Sequence, residues 1–243
     1  MPVPDDVLDR ARRLDPSAAE AVLADAYPSV RRIALALVGR PATAGRVVEE
    51  VLDRGLRVLP SWRAGATPEN WFYHHTVLTA REAAAAAGEQ PDPRQDPLVT
   101  AADAPAAADP AYVAFVRAVR GLPPQQAEAF LLNHGERLNE RLLGVAMDCS
   151  ARAAENHLRA AHDALSAVAG PDGERHTATL TRAYAALGPA PADVAGAVRP
   201  PVRRVVRARR FRRIVRALVT LFVLGLAAAG AYAAWHWRHV LPR

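Results

Sequence analysis

With one cysteine, Cys149, in 243 residues, the chain builds no intramolecular disulfide and no thiolate metal cluster of its own, and it has room for one or two small domains. Abundant alanine and an aromatic content of only 6 % favour helix over sheet. The net charge of +6 is uneven: residues 199–243 hold 11 arginines and no acid, which leaves 20 arginines against 25 acids in residues 1–198, so the basic balance gives that larger part no support as a nucleic-acid binder.

Met1 to Pro16 is polar, with Asp5, Asp6, Asp9 and Asp15, and reads as no secretory signal. A first helix is predicted from about Asp5 to Leu14. Ser17 with Glu20 forms a capping box for the next. Its stripe is Val22, Leu23, Tyr27, Val30, Ile33, Ala34, Leu37 and Val38, with a kink or restart expected at Pro28 and an end at Gly39. Val47, Val48, Val51, Leu52, Leu56 and Leu59 make another helical face, closed by Pro60. Thr67-Pro68-Glu69 opens the helix NWFYHHTVLTAREAAAAA, which stops at Gly88. Trp71, Phe72 and Tyr73 at its start suit either a helical core or stacking on an unpaired base. His74 and His75 are adjacent, project about 100° apart and make a poor metal pair.

Residues 88–110, rich in Pro, Asp and Ala and without an apolar period, read as an extended, mobile linker. Beyond it, Pro123 and Pro124 open a helix carrying Ala127, Phe130 and Leu131, with Gly135 as its stop. Leu138, Leu142, Leu143 and Ala146 form a second apolar set. A polar break, Asp148-Cys149-Ser150, precedes a helix with Ala151, Ala154, Leu158, Ala161, Leu165 and Val168 on one stripe. Arg152, Asn156, His157, Arg159 and His162 fall mainly on the other faces. Helix, short turn and a helix with a polar outer face is the pattern of a helix-turn-helix DNA reader, and equally of many small helical domains.

The stretch LPPQQAEAFLLNH…LNERLLGVAMDCSARAAENHLRAAHDAL resembles region 4 of bacterial RNA polymerase sigma factors of the extracytoplasmic-function group. Ala153-Ala154 stands where that family usually has Thr-Val, His157-Leu158 where it has Arg-Leu, and Ala161-His162 where it has Ala-Arg. AYPSVRRIALALVGRPATAGRVVEEVLDRGLRVLPSW with ENWFYHHTVLTARE resembles region 2 of the same family. The resemblance implies two helical modules joined by a flexible linker and partnered by RNA polymerase core and promoter DNA. It implies that Glu49 and Glu50 face polymerase, although Arg46 stands where the family carries an acid. It also implies that Trp71, Phe72 and Tyr73 lie at the −10 element, and that Arg152, Asn156, His157, Arg159 and His162 contact DNA. Within that set, Arg152 or Arg159 suits phosphate or guanine and Asn156 suits adenine.

Residues 174–187 form one more helix, with Leu180, Tyr184 and Leu187 on a face, and 188–201 reads as a second loose linker. Ala217 to Trp235 is 19 residues without a charge, which at about 1.5 Å per residue nearly crosses a bilayer core of about 30 Å. Tyr232, Trp235 and Trp237 suit an interfacial belt. Nine arginines lie between Arg199 and Arg216 and only Arg238 and Arg243 follow the span, which directs the N-terminal part to the cytoplasm and the arginines to lipid headgroups.

The expectation is therefore an all-α chain: a region 2-like domain over 1–88, a linker over 89–110, a region 4-like helix-turn-helix domain over 111–169, an extra helix and basic linker over 170–213, and a transmembrane helix over 214–237. Its function is expected to be that of a membrane-anchored sigma-type transcription regulator in the cytoplasmic membrane, with an anti-sigma or signalling partner. The alternative is a sigma-like, membrane-bound interaction protein that sequesters its partner and has lost promoter binding. No phosphate loop, nucleophile motif or metal-ligand cluster marks an enzyme, a cofactor or a metal site.

Overall fold

Asp15, not Ser17, caps the long second helix: its carboxylate accepts from the Ala18 amide at 2.9 Å, and Ser17 hydrogen-bonds that same carboxylate. The structure is a computed structural model that describes residues 3–62, 67–86, 88 and 92–240. Helix α1 spans Asp5–Arg12 and buries Leu8 and Ala11. Helix α2 runs without interruption over Pro16–Val38, so Pro28 neither restarts nor ends it. The one backbone bond lost at Pro28 is outweighed by the burial of Val22, Leu23, Tyr27, Val30 and Ile33 on both sides of it. Gly39, in the left-handed conformation, closes α2 as expected. Helix α3 (Pro41–Val58) buries Val47, Val48, Val51, Leu52 and Leu56, and a short 3-10 turn over Leu59–Ser61 follows. Helix α4 covers Pro68–Ala86. The α2 and α3 faces read from the sequence are thus the faces that pack.

Residues 92–110 are not the extended linker expected; residues 89–91 of that segment lie outside the described residues. A 3-10 turn over Pro93–Gln95 leads to short helices α5 (Pro97–Thr100) and α6 (Ala104–Ala108), each capped by an aspartate side chain, Asp96 and Asp103. Leu98 and Val99 are buried, the Leu98 carbonyl accepts from the Tyr112 hydroxyl, and the Asp96 carboxylate is held by the Arg120 guanidinium at 2.7 and 3.0 Å. The aspartates that made this stretch look like linker are caps and an ion-pair partner.

Helix α7 (Pro110–Gly121) was not anticipated, although Tyr112, Phe115, Val116 and Val119 repeat at helical spacing and are all buried. Helix α8 spans Pro124–Glu136, α9 Glu140–Met147, α10 Ala151–Ala169 and α11 Gly173–Ala186. The α8 stop is Arg137, at φ 56°, two residues later than the glycine predicted. Gly135 is required for another reason: a Cβ there would stand 2.5 Å from the Tyr184 ring, so only glycine lets α11 lie against α8. Helix α12 begins at Pro191 and runs to Val240, and it buries Val198 and Val202, so 188–201 is not a loose linker either. Among the described residues there is no strand.

The chain divides into two units, residues 1–202 and 203–243. Within the first, the parts expected to form separate modules share a core: Ile33 of α2 and Tyr73 and Val77 of α4 join Ala129 and Leu132 of α8, Leu143, Ala146 and Met147 of α9, and Ala154 of α10. Two forked ion pairs cross the same boundary. Arg32 grips Glu136 through two bonds of 2.8 Å, and Arg81 grips Glu128 at 2.8 and 2.6 Å, with both carboxylate side chains about 5 % exposed or less. In the second unit, Ile214–Trp235 is long and apolar enough to cross a membrane, and none of it is buried. The side chains of Trp237, His236 and His239 lie outside the described residues.

Candidate nucleic-acid interface

Helices α9 and α10 and the turn between them are built by local sequence. Asn139 caps α9 by accepting from the Leu142 amide at 3.0 Å, and Ser150 caps α10 by accepting from the Ala153 amide at 3.1 Å. Asp148 ends α9 in the left-handed conformation, φ 60°. The chain then folds back tightly, because Gly144 has no Cβ: one would meet the Cys149 carbonyl oxygen at 2.8 Å and the Ala151 nitrogen at 3.0 Å. Ala154, Ala161 and Leu165 of α10 are buried and Leu158 is half-buried, as the predicted stripe required, while its end residues Ala151 and Val168 are exposed.

The five α10 residues expected to meet DNA divide. Arg152, Asn156 and Arg159 are exposed on one face, and with Glu140, Ala151 and Glu155 they line a shallow open depression. His157 is half-buried. His162 is exposed, but its Nε2 lies 2.9 Å from Nε2 of His134 on α8, so its ring is turned to that partner. Arg159 forms an ion pair with Glu155 at 3.0 Å, one turn away, and both side chains are solvated. A phosphate competes with that carboxylate only weakly handicapped, since exposed pairs of this kind contribute at most about 1 kcal/mol. Depending on how it is approached, the face offers Arg152 and Arg159 against Glu140 and Glu155, close to electrical balance.

The three residues expected at the −10 element are placed differently. Phe72 and Tyr73 are buried, 1 % and 6 % exposed. Phe72 fills the space against Gly55, and the Tyr73 hydroxyl donates to Glu69 at 2.6 Å. Burial first, then that bond, raises the Tyr73 hydroxyl well above its ordinary range. Trp71 is half-buried in a ring cluster with Trp62, Phe72 and His75, at centroid distances of 5.6, 5.1 and 4.1 Å. Of the two uses open to these rings, core filling is the one seen for Phe72 and Tyr73, and in this arrangement neither presents a face to a base. The neighbouring His74 donates from Nδ1 to the Val145 carbonyl of α9, 3.1 Å away, and burial lowers the pKa of His75. Glu49 and Glu50 are both exposed on α3, and Glu50 pairs with Arg54 at 2.7 Å.

Cys149 sits half-buried beside the turn, and burial raises its thiol pKa, which suits packing better than nucleophilic work. Among the described residues, no three His, Cys, Asp or Glu side chains gather as a metal site. The residues the sequence did not flag are His134, Arg32 and Arg81. Each acts through a partner on a distant helix, so no local pattern announces it. No family model matches the chain, and no curated protein matches it.

Proposed function

We propose that the chain is a membrane-anchored transcription regulator of the extracytoplasmic-function sigma type. The helix-turn-helix of α9 and α10 presents Arg152, Asn156 and Arg159 to duplex DNA, and Glu49 and Glu50 on α3 meet RNA polymerase core. The observation that carries the reading is the capped helix, tight turn and second helix whose outer polar face is exposed over its whole first half. Ile214–Trp235 supports the anchor, with the arginines between Arg199 and Arg216 lying against anionic headgroups on the cytoplasmic side. A single pass with residues 1–213 inside follows from that charge bias.

A second reading, a sigma-like membrane protein that binds a transcription partner without reading promoters, is favoured by two observations. Phe72 and Tyr73 are buried, and the α10 face is nearly balanced in charge. One experiment separates the two: the full chain, purified in detergent, is tested for co-purification with polymerase core and for gel-shift of duplex DNA over a salt series. Core binding with a salt-sensitive shift that Arg152→Ala and Asn156→Ala abolish supports the first reading. Core binding with no shift supports the second, and failure to bind core at low salt removes the first. Reporter fusions at the two ends test the orientation.

A further inference from the structure

A cavity of about 310 Å³ lies within residues 1–202, where the end of α2 and the C-terminal half of α4 meet the end of α7 and the start of α8. Local sequence leaves the space open. Ala80 and Ala84, one turn apart on α4, and Ala127 on α8 bring only methyl groups to a gap walled by Leu37 and Leu131. Apolar walls of this kind hold water poorly, so the occupant that suits them is itself apolar. At about 30 Å³ per heavy atom, the share of one water molecule in the liquid, the space takes roughly ten non-hydrogen atoms. That is the small end of the range for small-molecule sites.

The polar part of the lining sets the charge of the occupant. Arg40, Arg81 and Arg120 bring three guanidinium groups to the cavity, against the single carboxylate of Glu128. Arg120 is engaged by Asp96. Arg81 gives Nε and Nη2 to Glu128, and Nη2 also to the Met147 carbonyl, which leaves Nη1 as its remaining donor nitrogen. That side chain is 32 % exposed, so an incoming group can reach it. A guanidinium has donors enough to serve a second carboxylate beside the first. A cationic head would instead meet three like charges, and a neutral one would gain less from them. We propose that this cavity binds a small free carboxylic acid with an apolar body, of the size of octanoate, with its carboxylate at Arg81 and Arg40 and its chain between α4 and α8. Because its walls come from α2 and α4 on one side and α7 and α8 on the other, the bound acid ties those helices together and stabilises the fold by mass action. Neither DNA reading nor polymerase binding is needed for this site, so a chain that lacks both still takes up octanoate.

The test is calorimetric titration of sodium octanoate into the full chain in phosphatidylcholine nanodiscs, with empty nanodiscs as the blank. Saturable uptake of one octanoate per chain is expected, with a melting temperature that climbs as octanoate rises above its Kd. Octanol, which keeps the chain and lacks the charge, is expected to bind at least about tenfold more weakly, the scale of one charge-assisted hydrogen bond. Ala84→Leu fills the space and should lower octanoate affinity at least about tenfold. No saturable uptake, octanol bound as tightly as octanoate, or unchanged affinity in a folded Ala84→Leu chain overturns the proposal. A readout without substitutions guards against a misfolded variant: octanoate carrying a diazirine is photo-crosslinked to the unsubstituted chain and located by mass spectrometry. Label within residues 80–86 or 122–131 that excess octanoate removes is expected, and label that excess octanoate removes only elsewhere overturns the site.

Discussion

Helices α4 and α10 carry the same expectation, contact with nucleic acid, and the fold treats them in opposite ways. Helix α4 has α2 and α3 on one side and α9 on another, so Phe72, Tyr73, Thr76 and Val77 are all buried. Helix α10 packs along Ala154, Leu158, Ala161 and Leu165, which leaves Arg152, Asn156 and Arg159 in solvent. Aromatic residues at a helix start are ambiguous because stacking on a base and packing in a core demand the same rings. Polar residues opposite an alanine stripe are less so, because a core has no use for them. The contrast explains why one set of polar residues stays on the surface while the other helix start is spent on packing.

That contrast can be broken from the α4 side with the largest effects. Phe72→Ala should cost about 3–5 kcal/mol, since it empties a fully buried ring site. Glu136→Ala should cost a similar 3–5 kcal/mol, because the Arg32 guanidinium is left without its carboxylate in a half-buried position. Urea unfolding of the full chain in detergent, followed by helix circular dichroism, measures both. Losses below about 1 kcal/mol, the level of an exposed pair, would mean that Phe72 does not fill the space against α3 and that α2 and α8 are not locked as described.

The joint between α8 and α10 gives an intermediate effect that depends on pH. His134 is depressed to about 4 in the folded chain from an ordinary 6.5. Between those values the unfolded chain binds the extra proton, so stability falls as pH drops from about 6.5 towards 4 and is unaffected by this group above that range. Discounted for its partial exposure, the loss is about 1–2 kcal/mol. His134→Gln should flatten that part of the profile of melting temperature against pH. A wild-type and variant difference that grows above pH 7 instead would contradict the sign.

The smallest effects belong to α10. Ser150→Ala removes its cap and should cost about 1 kcal/mol. Arg152→Ala and Asn156→Ala should change stability by no more than about 0.5 kcal/mol, because their side chains are solvated. A DNA-binding loss in these two variants at unchanged melting temperature would then be a loss of contact and not of fold. A large destabilisation would show that the α10 face packs against something and is not a reading surface.

Much was legible in the residues themselves. The stripes of α2, α3, α9 and α10, the Ser150 cap and the uncharged run from Ala217 to Trp235 are periodicities and local hydrogen bonds, which neighbours in the chain determine. Helix α7 was legible too, since Tyr112, Phe115, Val116 and Val119 mark its face. Asp96 was not: an aspartate between prolines reads as linker until Arg120, 24 residues on, closes on it. Pro28 misled in the same way, because the packing that carries α2 through it comes from other helices.

The sequence by itself therefore determined that α1 to α4 and α8 to α11 are helical, which stripe of α2, α3, α9 and α10 is apolar, and that one C-terminal segment suits a bilayer, because those properties depend on residues within one or two turns of each other. Tertiary structure alone decided that α2, α4, α8, α9 and α10 share a core, that Arg32 and Arg81 find carboxylates about a hundred and about fifty residues away, and that His134 meets His162. Those pairings join side chains far apart in sequence, and no local period encodes which distant helix a given face will meet.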